Sequence, residues 1–206
     1  MAGEQIEIKF KTNFFSKEKT IILSNESLSL SCNNSVITQF NNEDIKGCRF
    51  GVRWIRGVEF YIGRLYCIDL KNGDDKMIKI RLRSVYGINK SMLHKKYGKI
   101  LNLLYDYYFD EKISNYINQI ENGTDVEMGG VIFKKEGVCL KLKNTSDFIK
   151  WGDLNTRAYS YYYTLSSKEK PDLYKVFTYL TDWNVSFVYS ISRQILKNKG
   201  LYKEEK

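Results

Sequence analysis

Up to Ser91 the chain sets apolar against polar positions in short alternating runs, the period of strands that bury one face. "TIILS" and "SLSLSC" flank Asn25 and Glu26 as a compact hairpin, and "SVITQF" follows. "RFGVRWIR" places Phe50, Val52 and Trp54 on one face of a strand and Arg49, Gly51 and Arg53 on the other. "EFYIGRLYCIDL" is a long run closed by the turn residues "KNGDD". "MIKIRLR" is the cleanest alternation, with Ile78, Ile80 and Leu82 inward and Lys79, Arg81 and Arg83 outward. "IEIKFK" adds an edge strand at the start.

At Ser91, the expected N-cap, the period becomes helical. Leu93, Tyr97, Ile100, Leu101, Leu104, Tyr105 and Tyr108 then form one apolar stripe. Ile113, Tyr116, Ile117 and Ile120 continue the pattern to a stop at Asn122 and Gly123, and the pattern leaves open whether Asp110 interrupts it. Strand period returns after Gly129 and Gly130: "VIFKK" and "GVCLKLK" around Glu136, then "DFIKW", "AYSYYYTL", a loop with Pro171, and "LYKVFTYL". Asp182 is the expected cap of a last helix whose inner face is Val185, Val188, Tyr189, Ile191, Ser192, Ile195 and Leu196. The glycines of "YIGRLY" and "MGGVIF" match no phosphate-loop spacing and are expected at bulges or turns.

The second half thus repeats the first. Phe40, Asp44, Ile45 and Arg49 answer to Trp151, Asp153, Leu154 and Arg157, and each half ends in strand, polar link and amphipathic helix. The second copy is expected to be shorter by about one hairpin, without a counterpart of "RWIRGVEF". Short antiparallel strands closed by one C-terminal helix resemble the pleckstrin-homology superfold, and the chain resembles a tandem protein of that kind, of a bacterial type. The resemblance implies an α+β fold of two tandem pleckstrin-homology-like units at about 10–109 and 126–199. Each would be a small antiparallel barrel or sandwich closed by its helix, with the chain divided into 1–122 and 123–206. It also implies a binding module for anionic lipid headgroups or for peptides along a sheet edge. The first hairpin, Thr20 to Cys32, departs from the lipid-binding pattern, since it holds Glu26 and no basic residue.

Composition narrows this further. The 206 residues are 43% hydrophobic and 15% aromatic with a single proline, which suits folded domains. The start "MAGEQIEIKFK" has no signal-peptide pattern and no window reaches the length of a membrane span, so a cytoplasmic location is expected. Cys32, Cys48, Cys67 and Cys139 are widely spaced and read as reduced, buried small hydrophobes. With His94 the sole histidine and no catalytic signature, neither a metal, a cofactor nor an enzymatic activity is expected.

Net charge is +9, and its distribution matters more than its size. Between Ile45 and Lys99 fourteen Lys and Arg face four acids, Glu59, Asp69, Asp74 and Asp75, while the remainder is almost balanced. Codon bias toward lysine, asparagine and tyrosine raises charge without a partner, but it does not segregate charge. Arg49, Arg53, Lys79, Arg81 and Arg83 are the candidate anion- or partner-binding residues, with Lys95, Lys96 and Lys99 extending the region onto the first helix. The ordinary alternative is a solvated sheet face paired with acids from elsewhere. "AYSYYYTL" is expected as one strand with Tyr159, Tyr161 and Tyr163 on one face, for packing or for base stacking. The resulting expectation is a non-enzymatic binding or scaffolding module. It would take a protein or other anionic partner through sheet edges, the groove between the units or the basic surface, or self-associate through an open edge. Nucleic-acid binding through 45–99 is the alternative.

Overall fold

The computed structural model describes residues 5–12, 16–33, 35–141 and 146–202. Strands pair with their nearest neighbours in sequence. β1 (Ile6–Phe10), β2 (Lys19–Leu23), β3 (Ser27–Cys32) and β4 (Ser35–Asn41) form one antiparallel meander. A 3-10 turn at Asn42–Asp44 leads into a second, β5 (Ile45–Arg56), β6 (Tyr61–Asn72) and β7 (Met77–Val85). The plan then returns. β8 (Val126–Met128), β9 (Val131–Lys134), β10 (Gly137–Lys141) and β11 (Ser146–Lys150) make a third meander. A 3-10 turn at Trp151–Asp153 introduces the fourth, β12 (Leu154–Ala158), β13 (Tyr162–Ser167) and β14 (Tyr174–Thr178). The protein is therefore α+β with four antiparallel sheets. No pairing among the described strands joins one sheet to another, so the expected barrel is not a closed hydrogen-bonded cylinder.

Two compact units result, Met1–Asp110 and Glu111–Lys206. The division expected at 122/123 lies at the far end of α2 (Asp110–Glu121), whose residues from Glu111 onward belong to the second unit. α1 (Lys90–Leu104), a π-helical turn at Tyr105–Phe109, and α2 follow one another without interruption, which answers the question left at Asp110. The wider turn inserts one residue, so that the consecutive rings of Tyr108 and Phe109 are both buried.

The repeat anticipated from Asp44–Ile45 and Asp153–Leu154 is visible as matched corners: each aspartate ends a 3-10 turn and the next residue opens a strand with its side chain buried. As expected, the second copy has no counterpart of "RWIRGVEF", but the hairpin is shortened rather than lost: β12 and β13 have 5 and 6 residues where β5 and β6 have 12 each. Two predicted caps also move. Asn89 and Asn184, both left-handed at φ 55° and 62°, precede α1 and α3 (Val185–Asn198). An asparagine tolerates that conformation, and the sharp reversal it makes starts each helix at the next residue. Ser91 falls inside the first turn, and Asp182 instead accepts the Thr178 amide at 2.7 Å. "AYSYYYTL" is likewise not one strand: Ala158 ends β12, residues 159–161 make the turn, and Tyr162–Leu165 belong to β13.

Each helix covers the inner faces of its own unit. Tyr97 of α1 packs on Tyr66 of β6 at 5.1 Å between rings, and the Tyr108 hydroxyl reaches the carbonyls of Ser24 and Ser27 at 2.6 and 2.8 Å. In the second unit Ser192 of α3 bonds the Tyr163 hydroxyl of β13 at 2.7 Å, and Val188 lies against Gly129 in the β8–β9 turn, where Gly129 and Gly130 both take positive φ. Gly63 serves a close approach instead: a Cβ there would stand 2.2 Å from the Ser84 carbonyl oxygen of β7. All four cysteines lie on strands as thiols rather than disulfides, Cys48 and Cys67 buried, Cys32 and Cys139 half-buried.

Burial pushes the Tyr108 phenol up to about 12 and holds Tyr97 and Tyr163 higher still. The folded protein therefore keeps these phenols protonated where an unfolded chain, with ordinary tyrosines near 10, begins to lose them. Their contribution to stability is complete below pH ~10 and is lost as pH rises toward and past about 12. Urea midpoints followed by circular dichroism should fall steadily above pH ~10, with the last tyrosinate absorbance appearing in the unfolding step. A midpoint constant to pH ~12 would contradict this burial.

Candidate functional site

The outer face of the β5–β6–β7 sheet gathers the basic residues that the alternation singled out. Register places Arg49 opposite Asp69 and Asp69 opposite Lys79; Gly51, Cys67 and Arg81 form the next row, and Arg53, Leu65 and Arg83 the one after. Residues two apart on a strand share a face, so all five cations project from the same side. On the other side Cys48, Ile68, Leu70, Ile78, Ile80 and Leu82 are buried. Lys79, Arg81 and Arg83 follow one another at about 7 Å, and Arg53 stands about 10 Å across the sheet from Arg83.

Asp69 divides the five into two groups. Its carboxylate is 5% exposed and binds Arg49 Nε at 3.0 Å through one oxygen and Arg81 Nη2 at 2.6 Å through the other. Arg81 also donates to the carbonyls of Ile68 and Ile80. Arg49 and Arg81 are thus held flat on the sheet by a charge that cannot be buried unpaired. Their stems, with Arg53 nearby, cover Cys67, whose thiol is pushed up by burial against the pull of the Arg81, Arg53 and Arg49 charges. Among the described residues no acid lies in salt-bridge range of Arg53, Lys79 or Arg83. All three are exposed.

Beyond this face the β5–β6 hairpin carries an apolar end. Val58 is 96% and Phe60 66% exposed, Tyr61 lies beside Trp54, and the Arg64 guanidinium sits 4.2 Å above the Trp54 ring. In the second unit the corresponding outer face is built differently: Asn155 and Arg157 on β12, Thr164 and Ser166 on β13, Tyr174 and Val176 on β14. One cation, Arg157, stands there, where the first unit has Lys71 beside the five already named. The sheet architecture is duplicated and the charge is not.

Lys95 and Lys96 do not lie on this strand face, although Lys96 lines one cleft with Arg83 at the end of β7. They lie on α1, which packs on the inner side of the same sheet through Tyr97 and Tyr66, and Lys96 Nζ donates to the Lys9 carbonyl at 2.7 Å. His94 is exposed, with its ring 5.9 Å from Tyr66. Of the tyrosines, Tyr163 is buried, while Tyr159 and Tyr162 stack at 4.4 Å with Arg157 over Tyr159. That arrangement is local packing at a turn. Asp69, the residue that organises the basic face, was counted in the charge map but not singled out; its only signal was a charge inside the apolar run "LYCIDL", in phase with Cys67. Among the described residues no three His, Cys, Asp or Glu side chains group as metal ligands would, and no helix is long and apolar enough to cross a membrane. The chain matches no protein-family model and no curated protein.

Proposed function

We propose that this is a non-enzymatic binding module of two tandem pleckstrin-homology-like units, whose first unit recognises an acidic protein segment on the β5–β6–β7 face. The tandem reading is supported by the recurring order of four strands, 3-10 turn, three strands and helix. The binding reading is carried by Arg53, Lys79 and Arg83, three exposed cations on one face whose single acid is already shared by Arg49 and Arg81. Like charges held this close repel one another, and an anionic partner relieves that repulsion. The open edge strand β14, with Tyr174 and Val176 exposed, is the weaker candidate for a partner strand, because Lys175 of that strand is tied to the carbonyls of Gly130 and Lys141.

Nucleic acid is the second reading, favoured by one observation: Phe60, Tyr61 and the Arg64-capped Trp54 offer rings for base stacking beside the cations. Titrating the whole chain with fluorescent polyglutamate and with a single-stranded oligonucleotide at increasing salt separates the two. Tighter binding of polyglutamate, weakening with salt, is the expected result. An oligonucleotide that binds more tightly, with a salt slope of several contacts, would transfer the face to nucleic acid. Failure of both probes at low salt would remove the proposal.

A further inference from the structure

The first unit also contains a cleft of about 840 Å³, away from the paired arginines, between the end of β1, the end of β7 and the start of α1. Its volume lies in the ~300–1,000 Å³ range of small-molecule sites. Phe10 and Leu93 form a buried floor and Val85 a half-buried wall, while Ile88 and Met92 stand exposed at the lip. Around that apolar surface are Lys9, Lys11, Arg83 and Lys96, against the single acid Glu18. The first turn of α1, which supplies Met92 and Leu93, carries no acidic residue and no side-chain cap, so its amide dipoles add to the positive rim.

We propose that this cleft binds a medium-chain anionic amphiphile, one per protein chain, with the apolar body on Phe10, Val85, Met92 and Leu93 and the charged head among Lys9, Lys11, Arg83 and Lys96. The two halves of the argument constrain each other. An uncharged apolar ligand leaves four cations facing one another at the rim, and a bare anion leaves Ile88 and Met92 exposed to water. Only a ligand with both parts satisfies both surfaces. The cleft shares Arg83, at the end of β7, with the arginine face, but its apolar floor and its other cations, Lys9, Lys11 and Lys96, lie outside that face, and Arg53 and Lys79 do not line it.

The test is calorimetric titration of the full chain below micelle-forming concentrations. The probes are decyl phosphate, decanoate, decanol, decylamine and inorganic phosphate. Decyl phosphate or decanoate should saturate at one per chain, and the tighter of the two identifies the head group. Decanol, decylamine and inorganic phosphate should each bind at least about tenfold more weakly. Met92→Asp, at an exposed position, should abolish binding without unfolding the protein, and Lys11→Gln with Lys96→Gln should weaken it about tenfold. Arg53→Gln should leave it unchanged, which separates this site from the basic face. Decylamine binding as tightly as decyl phosphate, uptake of many molecules per chain, or Met92→Asp binding like the parent protein would each overturn the proposal.

Discussion

Asp69→Asn is expected to destabilise the first unit by about 3 kcal/mol, the low end of the cost of removing one partner from a buried ion pair. The carboxylate is almost fully buried and neutralises two guanidinium groups at once. With an amide in its place, Arg49 and Arg81 face each other across the central strand with no negative charge between them. Their side chains are about one-quarter exposed, so water relieves part of the repulsion, and for that reason the estimate stays at the lower end. For a unit of this size the loss corresponds to a fall in Tm of roughly 10–20 °C. Asp75→Asn is the matched control: Asp75 also pairs a lysine, Lys71, but is 83% exposed, and should change stability by less than ~0.5 kcal/mol. Thermal denaturation of the two variants beside the parent protein decides. Equal, small shifts would mean that the Arg49–Asp69–Arg81 group does not hold the sheet together.

How much of this was legible beforehand depends on the range of the interaction involved. Alternation in "MIKIRLR" placed Ile78, Ile80 and Leu82 inward and three cations outward, and the structure agrees, because side-chain period in a strand is purely local. The helical stripe from Leu93 to Tyr108 was legible for the same reason. Convergence of Arg49 and Arg53 with Lys79, Arg81 and Arg83 was not, since it depends on β6 pairing both neighbours in a register no single strand encodes. Asp69 was hidden by the same limit: its partners lie 20 residues before it on β5 and 12 after it on β7. Caps failed for a different reason. Ser91 and Asp182 are good cap residues by side-chain chemistry, but Asn89 and Asn184 take the left-handed conformation that turns the chain, and backbone geometry determined the start. Lys95 and Lys96 were linked to the arginines by sequence proximity; α1 packs on the inner side of the sheet and carries them off the arginine face, Lys96 meeting Arg83 at the rim of the cleft at the end of β7.

The largest effect on recognition is expected from Arg53, Lys79 and Arg83 changed together to glutamine. None has an acidic partner among the described residues, so each is available for a charge-assisted contact of about 1 kcal/mol after solvent screening, and loss of three corresponds to about a hundredfold in affinity. Because they are exposed and unpaired, stability should change little. The measurement is the affinity of the full chain for fluorescent polyglutamate at low salt, with this triple variant set beside a second triple, Lys150, Lys170 and Lys199 changed to glutamine on the second unit. Both lower the net charge of +9 by the same amount, and all three control lysines are exposed. A loss of about a hundredfold for the first triple, with less than about threefold for the second, is the predicted outcome. Equal losses in the two variants would show that binding follows net charge alone and would contradict the assignment of the β5–β6–β7 face.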